Sequence, residues 1–247
     1  MEELLKIEGR VSDLQIKNSV WSVFGKNTDK IIRTSSFLGV IGENILQASQ
    51  NIYLATKTKK NVHSYKMQIN NHICIGEFQK VLFEDNEYLI CIVKKNNDNT
   101  FEPYAVLSPK TGLLYMQMEM GTTIKANHSI FIALAKFLLI MLGGLAITLS
   151  YMSETSFWSN LLENSIIFLI CYIFMLGFFW VLMRTSKPFA VKSEKVFKMY
   201  EFDSFKDISL ITARYHDKAS AITLESVFEY RKVIKNDPYP ESYLEDK

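Results

Sequence analysis

Residues 136–152 read KFLLIMLGGLAITLSYM, and after Lys136 the stretch carries no charge. Whether it crosses a membrane or forms the core helix of a soluble protein decides the fold. Extended back to Ile130, the run holds about 23 residues. As a helix it covers roughly 34 Å, against a hydrocarbon thickness of about 30 Å. A second run, SIIFLICYIFMLGFFWVLM from Ser165 to Met183, has no charge at all. A soluble amphipathic helix would show polar residues every three or four positions, and neither run has such a stripe. The two runs predict a transmembrane hairpin over 129–184, with spans at about 130–152 and 165–183.

Lys136 is the one objection. It lies about 9 Å into the first span, from where its stem can carry the ammonium back to the interface. A centred Lys costs about 3 kcal/mol and an off-centre one less, whereas each Ile, Leu or Phe favours insertion by roughly 0.3–0.6 kcal/mol, so the dozen or so in the run outweigh it. Neither span holds an Asp or Glu that would partner Lys136 as a functional intramembrane charge.

The flanks set the orientation. Lys125 precedes the first span, and Arg184, Lys187, Lys192, Lys195 and Lys198 follow the second. The connecting loop 153–164, SETSFWSNLLEN, has Glu154 and Glu163 but no Lys or Arg. The positive-inside rule therefore expects both termini in the cytoplasm and the loop outside. Trp158 and Trp180 suit interfacial anchors, which with Lys136, Arg184 and Lys187 make up the expected membrane-interface set. Gly144 and Thr148, and Ala146 and Ser150, are spaced for close helix packing. Packing within the hairpin and homo-oligomerisation through it explain that spacing equally well. Neither span has a polar stripe to line a pore.

The remainder is charged and mixed. Residues 1–128 read as a cytosolic β-rich domain, a small barrel or sandwich. LKIEGRVSDLQI begins by alternating, with Leu5, Ile7, Gly9 and Val11 on one side. KIIRTSSFLGV, NIYLATK and HSYKMQIN are short and rich in β-branched or aromatic residues, and YLICIVKK follows an Asp85–Asn86 turn. YAVLSPKTGLLYMQM reads as a hairpin, with Pro109 and Gly112 in its turn. Residues 37–56 are less regular. Glu43, Asn44, Gln47 and Gln50 there form a candidate partner surface, with a polar helical turn as the alternative. Residues 185–247 predict a short α-helical cytosolic region. Ser193 would cap a helix carrying Val196, Phe197 and Tyr200, and Thr223 one carrying Val227, Phe228 and Ile234. NDPYPESYLEDK reads as a mobile polar tail. The fold class expected is an α+β membrane protein.

Chemistry is less legible. A net charge of +2 gives no reason to expect nucleic acid as a partner. Cys74, Cys91 and Cys171 are scattered with no C-x-x-C, which excludes a zinc ribbon and suits reduced thiols in a cytosolic compartment. The acidic start, MEELLKIEGRV, does not read as a signal peptide. G-x-S-x-G, P-loop, G-x-G-x-x-G and H-E-x-x-H motifs are all missing. His63, His72, His128 and His216 are dispersed; only His63 and His72 might meet, across strands. No catalytic residue, metal site or cofactor is expected, and the partners expected are the lipid bilayer and a protein.

Two stretches carry a resemblance: FLGVIGENILQASQNIYLA at 37–55 and SEKVF at 193–197. With the layout of β domain, two-span hairpin and short tail, the chain resembles a family of bacterial membrane proteins linked to the type VI secretion system as effector or immunity-associated components. Where the family has a Gly-Phe-Pro-like turn after SEKVF, this chain has KMYEFDSF. The resemblance implies a bacterial inner membrane, with 153–164 periplasmic, and a role in interbacterial competition. An immunity or accessory protein that binds a toxin or secretion component is the first expectation. A delivered membrane-perturbing effector and a membrane-tethered sensor or scaffold are the alternatives. The resemblance assigns no functional residues.

Overall fold

The computed structural model describes residues 3–22, 59–96, 100–152 and 157–245. The strands expected in KIIRTSSFLGV and NIYLATK, and the candidate surface of Glu43, Asn44, Gln47 and Gln50, lie outside the described residues. The chain forms two compact units. The first is Met1–Met118, Ala213–Arg231 and Tyr239–Lys247; the second is Glu119–Thr212 and Lys232–Pro238.

The first unit is built from β1 (Leu4–Ser22), β2 (Lys59–Ile69), β3 (His72–Phe78), β4 (Tyr88–Lys95), β5 (Phe101–Ser108), β6 (Leu113–Met116), β7 (Arg214–Asp217) and β8 (Ile222–Glu229). They hydrogen-bond in the order β3-β2-β1-β4-β5-β6-β8-β7. A parallel bridge, Cys74 to Phe101, joins β3 to β5 and closes the first five strands into a small barrel, an architecture class that includes the OB-folds. The long β1 makes closure possible. Leu4–Arg10 pair with β4, and Val11–Ser22 with β2. The change of partner comes at a bulge between Ser12 and Gln15, with Asp13 at φ 54°. A bulge bends the strand and increases its twist, which lets one strand serve two neighbours. Gly9 sits just before it. A Cβ there would lie 2.8 Å from Asn70 Oδ1, and Asn70 Nδ2 donates to the Glu8 carbonyl at 2.6 Å. Asn70 and Asn71 both have positive φ, the pairing that a tight two-residue β2–β3 turn demands.

Alternation fills the barrel. Val11, Tyr65, Met67, Ile69, Cys74, Phe78, Leu89, Cys91, Val93 and Val106 belong to one buried cluster, with Ile7 packed against it. Tyr65 stacks on Phe78 at 5.1 Å and meets Phe83 edge-on at 5.7 Å. The predicted β5–β6 hairpin is present. Its turn holds Gly112 at φ 66°, and the Gly112 amide donates to the Ser108 carbonyl at 3.0 Å.

Past Met199 the C-terminal region is not α-helical, contrary to expectation. Thr223, Val227 and Phe228 lie in β8, where Leu113, Leu114 and Tyr115 of β6 pair with Glu229, Phe228 and Val227. Val227 and Phe228 are adjacent and both buried, which fits a strand buried on both faces, and β6 supplies the backbone partners that decide it. The tail also differs from expectation. Tyr239 is buried, Lys6 Nζ donates to its hydroxyl at 2.7 Å, and Tyr243 donates to Glu8 Oε2 at 2.8 Å. Two tyrosines give this polar stretch enough apolar surface to dock on β1.

The second unit holds α1 (Ile124–Met152) and α2 (Phe157–Met199). Both are long and apolar enough to cross a membrane, and only 6% of each apolar window is buried. A soluble core helix would be mostly buried. Here Ile140 is 73% and Phe174 76% exposed. α1 is capped by Thr123, whose Oγ accepts from the Ala126 amide at 3.4 Å, and Glu194 accepts from the Ile124 amide at 3.0 Å. α2 runs some 16 residues, roughly 24 Å, past Met183. Ser193 is therefore not an N-cap. It lies inside α2, donating to the Phe189 carbonyl and accepting from the Gly121 amide, each at 3.0 Å. Pro188 reads as a breaker, but it removes only one helix hydrogen bond, at the Arg184 carbonyl. Val196, Phe197, Tyr200 and Phe202 are buried beyond it, Tyr200 stacking on Phe202 at 5.5 Å. That apolar cluster keeps the helix going.

Candidate membrane-interface site

The start of α1 and the Trp180–Ala190 stretch inside α2 line an open recess of about 510 Å³. α1 contributes Ile124, Asn127 and His128, spaced i, i+3, i+4 on one face; α2 contributes Trp180, Met183, Arg184, Lys187 and Ala190, which recur on one face in the same way. The Arg184 guanidinium lies over the Trp180 ring at 5.6 Å. Asn127 Nδ2 donates to Ser186 Oγ at 2.8 Å and ties the two helices together. Among the described residues neither Arg184 nor Lys187 has a carboxylate partner. Glu194, two turns beyond Lys187 on α2, is engaged by the Ile124 amide. The recess thus offers two exposed cations, Arg184 resting on Trp180 and Lys187, beside an amide and apolar side chains.

Three of the five expected interface residues, Trp180, Arg184 and Lys187, meet in this recess. Lys136 is exposed partway along α1, and Trp158 is exposed near the start of α2. The small residues separate into two faces. Ser150 is buried and accepts from Asn164 Nδ2 of α2 at 3.1 Å, and Ala146 is buried one turn away. Gly144 and Thr148 are exposed, and a Cβ built on Gly144 meets nothing within 4 Å. Asn127 and His128 were not part of the expected interface set. The helical spacing 124, 127, 128 before the first span is the signal that would have found them.

The first unit offers a second polar cluster. Lys80 donates to Asp217, Ser220 donates to the same carboxylate oxygen, and the Ala219 amide donates to Oδ1 at 3.1 Å. Lys80 and Ser220 hold the Asp217 carboxyl down at about 2 instead of 3.8. Ser220 donates to a carboxylate held so low that it is a poor proton acceptor, and the cluster closes the β7–β8 turn. Beside it, burial first and the Lys80 charge second lower the His63 pKa, and the neutral ring accepts from the Val81 amide at 3.3 Å. His72 lies at the far end of the β2–β3 hairpin from His63 and packs edge-on against Phe101. The two histidines therefore do not form a ligand pair. Burial pushes the Cys74 thiol up to about 12 and Cys91 well above its ordinary value, so both stay protonated and unreactive. Among the described residues no group of three or more His, Cys, Asp or Glu is placed to hold a metal ion.

No family model, no curated protein and no solved structure matches the chain.

Proposed function

We propose that the chain is a two-span membrane protein that acts by binding a protein partner, with its barrel and both termini in the cytoplasm. The observation that carries the topology is the β6–β8 pairing. β6 precedes the hairpin and β8 follows it, yet they share a ladder. Strands that pair must lie in one compartment, so the apolar helices between them cross the bilayer an even number of times. Two crossings satisfy this and also account for large apolar side chains that would each cost about 1.5–3 kcal/mol if left in water. The basic residues after α2 then select the cytoplasmic side.

The resemblance to type VI secretion components, together with this topology, supports an immunity or accessory role at a bacterial inner membrane. The periplasmic loop is short, so a large partner would be met in the cytoplasm or within the bilayer. A toxin it neutralises would then act at the membrane, not on the cell wall. Expression of the chain in sensitive cells challenged by a secreting strain tests the role. Raised survival supports protection; unchanged survival, with the chain confirmed in the membrane, counts against it. The alternative of a tethered binding module is favoured by the filled barrel and the absence of a polar stripe on either helix. Replacing the hairpin with an unrelated two-span anchor should then preserve activity, and loss of activity after the swap excludes a mere tether.

A further inference from the structure

The recess between the start of α1 and the Trp180–Ala190 stretch of α2 has a composition that the anchor role does not require. A positive-inside signal needs only basic residues near the span, in any arrangement. Here two of them converge with an amide and a histidine on a shaped, apolar-floored recess. We propose that this recess binds the phosphate of an anionic phospholipid headgroup, the lipid's chains lying along the apolar flank of the hairpin. The inference rests on the membrane reading above.

Depth, charge and shape support it. Arg184 immediately follows the second span, and Asn127 and His128 immediately precede the first, so the donors sit in the headgroup layer. Arg184 presents a planar fork suited to phosphate oxygens, and Lys187 adds a point charge one turn away. Basic recesses between membrane helices on the cytoplasmic side suit acidic headgroups on these grounds. A zwitterionic lipid is disfavoured. Its ammonium would need a carboxylate or an open aromatic face, yet the recess is lined by no carboxylate and the Trp180 ring is already covered by Arg184. A free phosphate ion would satisfy the cations but leave Ile124, Trp180 and Met183 wet, which favours a lipid as the source of the phosphate.

The test uses the full chain in nanodiscs made from equal parts phosphatidylglycerol and phosphatidylcholine, with retained lipid counted by native mass spectrometry. The expected result is preferential retention of phosphatidylglycerol. The Arg184→Gln/Lys187→Gln variant should reduce that preference roughly tenfold or more, while Lys198→Gln, outside the recess, leaves it unchanged. Inorganic phosphate at millimolar concentration should not displace the lipid. Equal retention of the two lipids, equal behaviour of the double variant and the wild type, or an equal loss with Lys198→Gln would each overturn the proposal. Displacement by phosphate would reassign the recess to a soluble anion and also overturn it. Carbonate extraction of each variant separates the two levels. A wild-type chain stripped from vesicles overturns the membrane reading and this site with it. A chain that stays inserted but shows no lipid preference overturns this site alone.

Discussion

Replacing Ser193 distinguishes a helix that begins there from one that runs through it. In the structure Ser193 is fully buried inside α2, and its Oγ accepts the buried Gly121 amide at 3.0 Å. Ser193→Ala strands that amide, at a cost of about 1–3 kcal/mol. The gain in helix propensity returns about 0.5 kcal/mol, leaving a net loss of roughly 0.5–2.5 kcal/mol, or about 2- to 70-fold in local opening. Ser193→Asp is the informative partner. At an N-cap, Asp serves as well as Ser, so the variant would behave like the wild type. Inside α2, it would bury a carboxylate whose helical neighbour is the Phe189 carbonyl, and it should be more damaging than Ala. Hydrogen exchange of the 119–123 segment, with the chain in nanodiscs, measures both. Wild-type protection in Ser193→Asp, alongside a loss in Ser193→Ala, would refute the continuous helix.

Three further outcomes follow from the packing. Ala146→Leu should loosen the hairpin by about 1–3 kcal/mol through overpacking, whereas Gly144→Leu, on the open face, should be tolerated; detergent-induced helix separation reads both, and the reverse order would mean that the Gly144 face is covered by another helix. Because the Asp217 carboxyl is held down at about 2, its ion pair contributes stability that is complete above the ordinary Asp value near 3.8 and is lost as pH falls through about 2. Acid unfolding of the first unit should therefore flatten between those values in Asp217→Asn, and an unchanged profile would remove Asp217 from the account. Deleting residues 239–247 should remove the Tyr239 and Tyr243 contacts of Lys6 and Glu8 and speed proteolysis of the first unit; an unchanged rate would mean that the tail does not dock.

The two long apolar helices were legible because length and lack of charge mark both of them locally. The β5–β6 turn was legible because Pro109 and Gly112 announce it. β7 and β8 were not. Their turn is made with Ala221 at φ 53° and holds no Gly, Pro or Asn between Asp217 and Ile222, so no breaker marks it. The β6 partner of β8 lies more than a hundred residues back along the chain, and such long-range pairing leaves no local trace. Ser193 was misread for a related reason: the cluster of Phe197, Tyr200 and Phe202 that continues the helix through it is visible only once folded. The interface site was half legible. Trp180, Arg184 and Lys187 stand out beside an apolar run, whereas Asn127 and His128 join them only through the pairing of the two helices.

That the two apolar helices cross a bilayer, with the strands before and after them on its cytoplasmic side, is tested most directly by single-cysteine labelling in sealed spheroplasts. A membrane-impermeant maleimide should modify Asn160→Cys from outside and leave Lys218→Cys untouched until the membrane is permeabilised. Labelling of Lys218→Cys in intact spheroplasts, or equal protection of both sites, would contradict it.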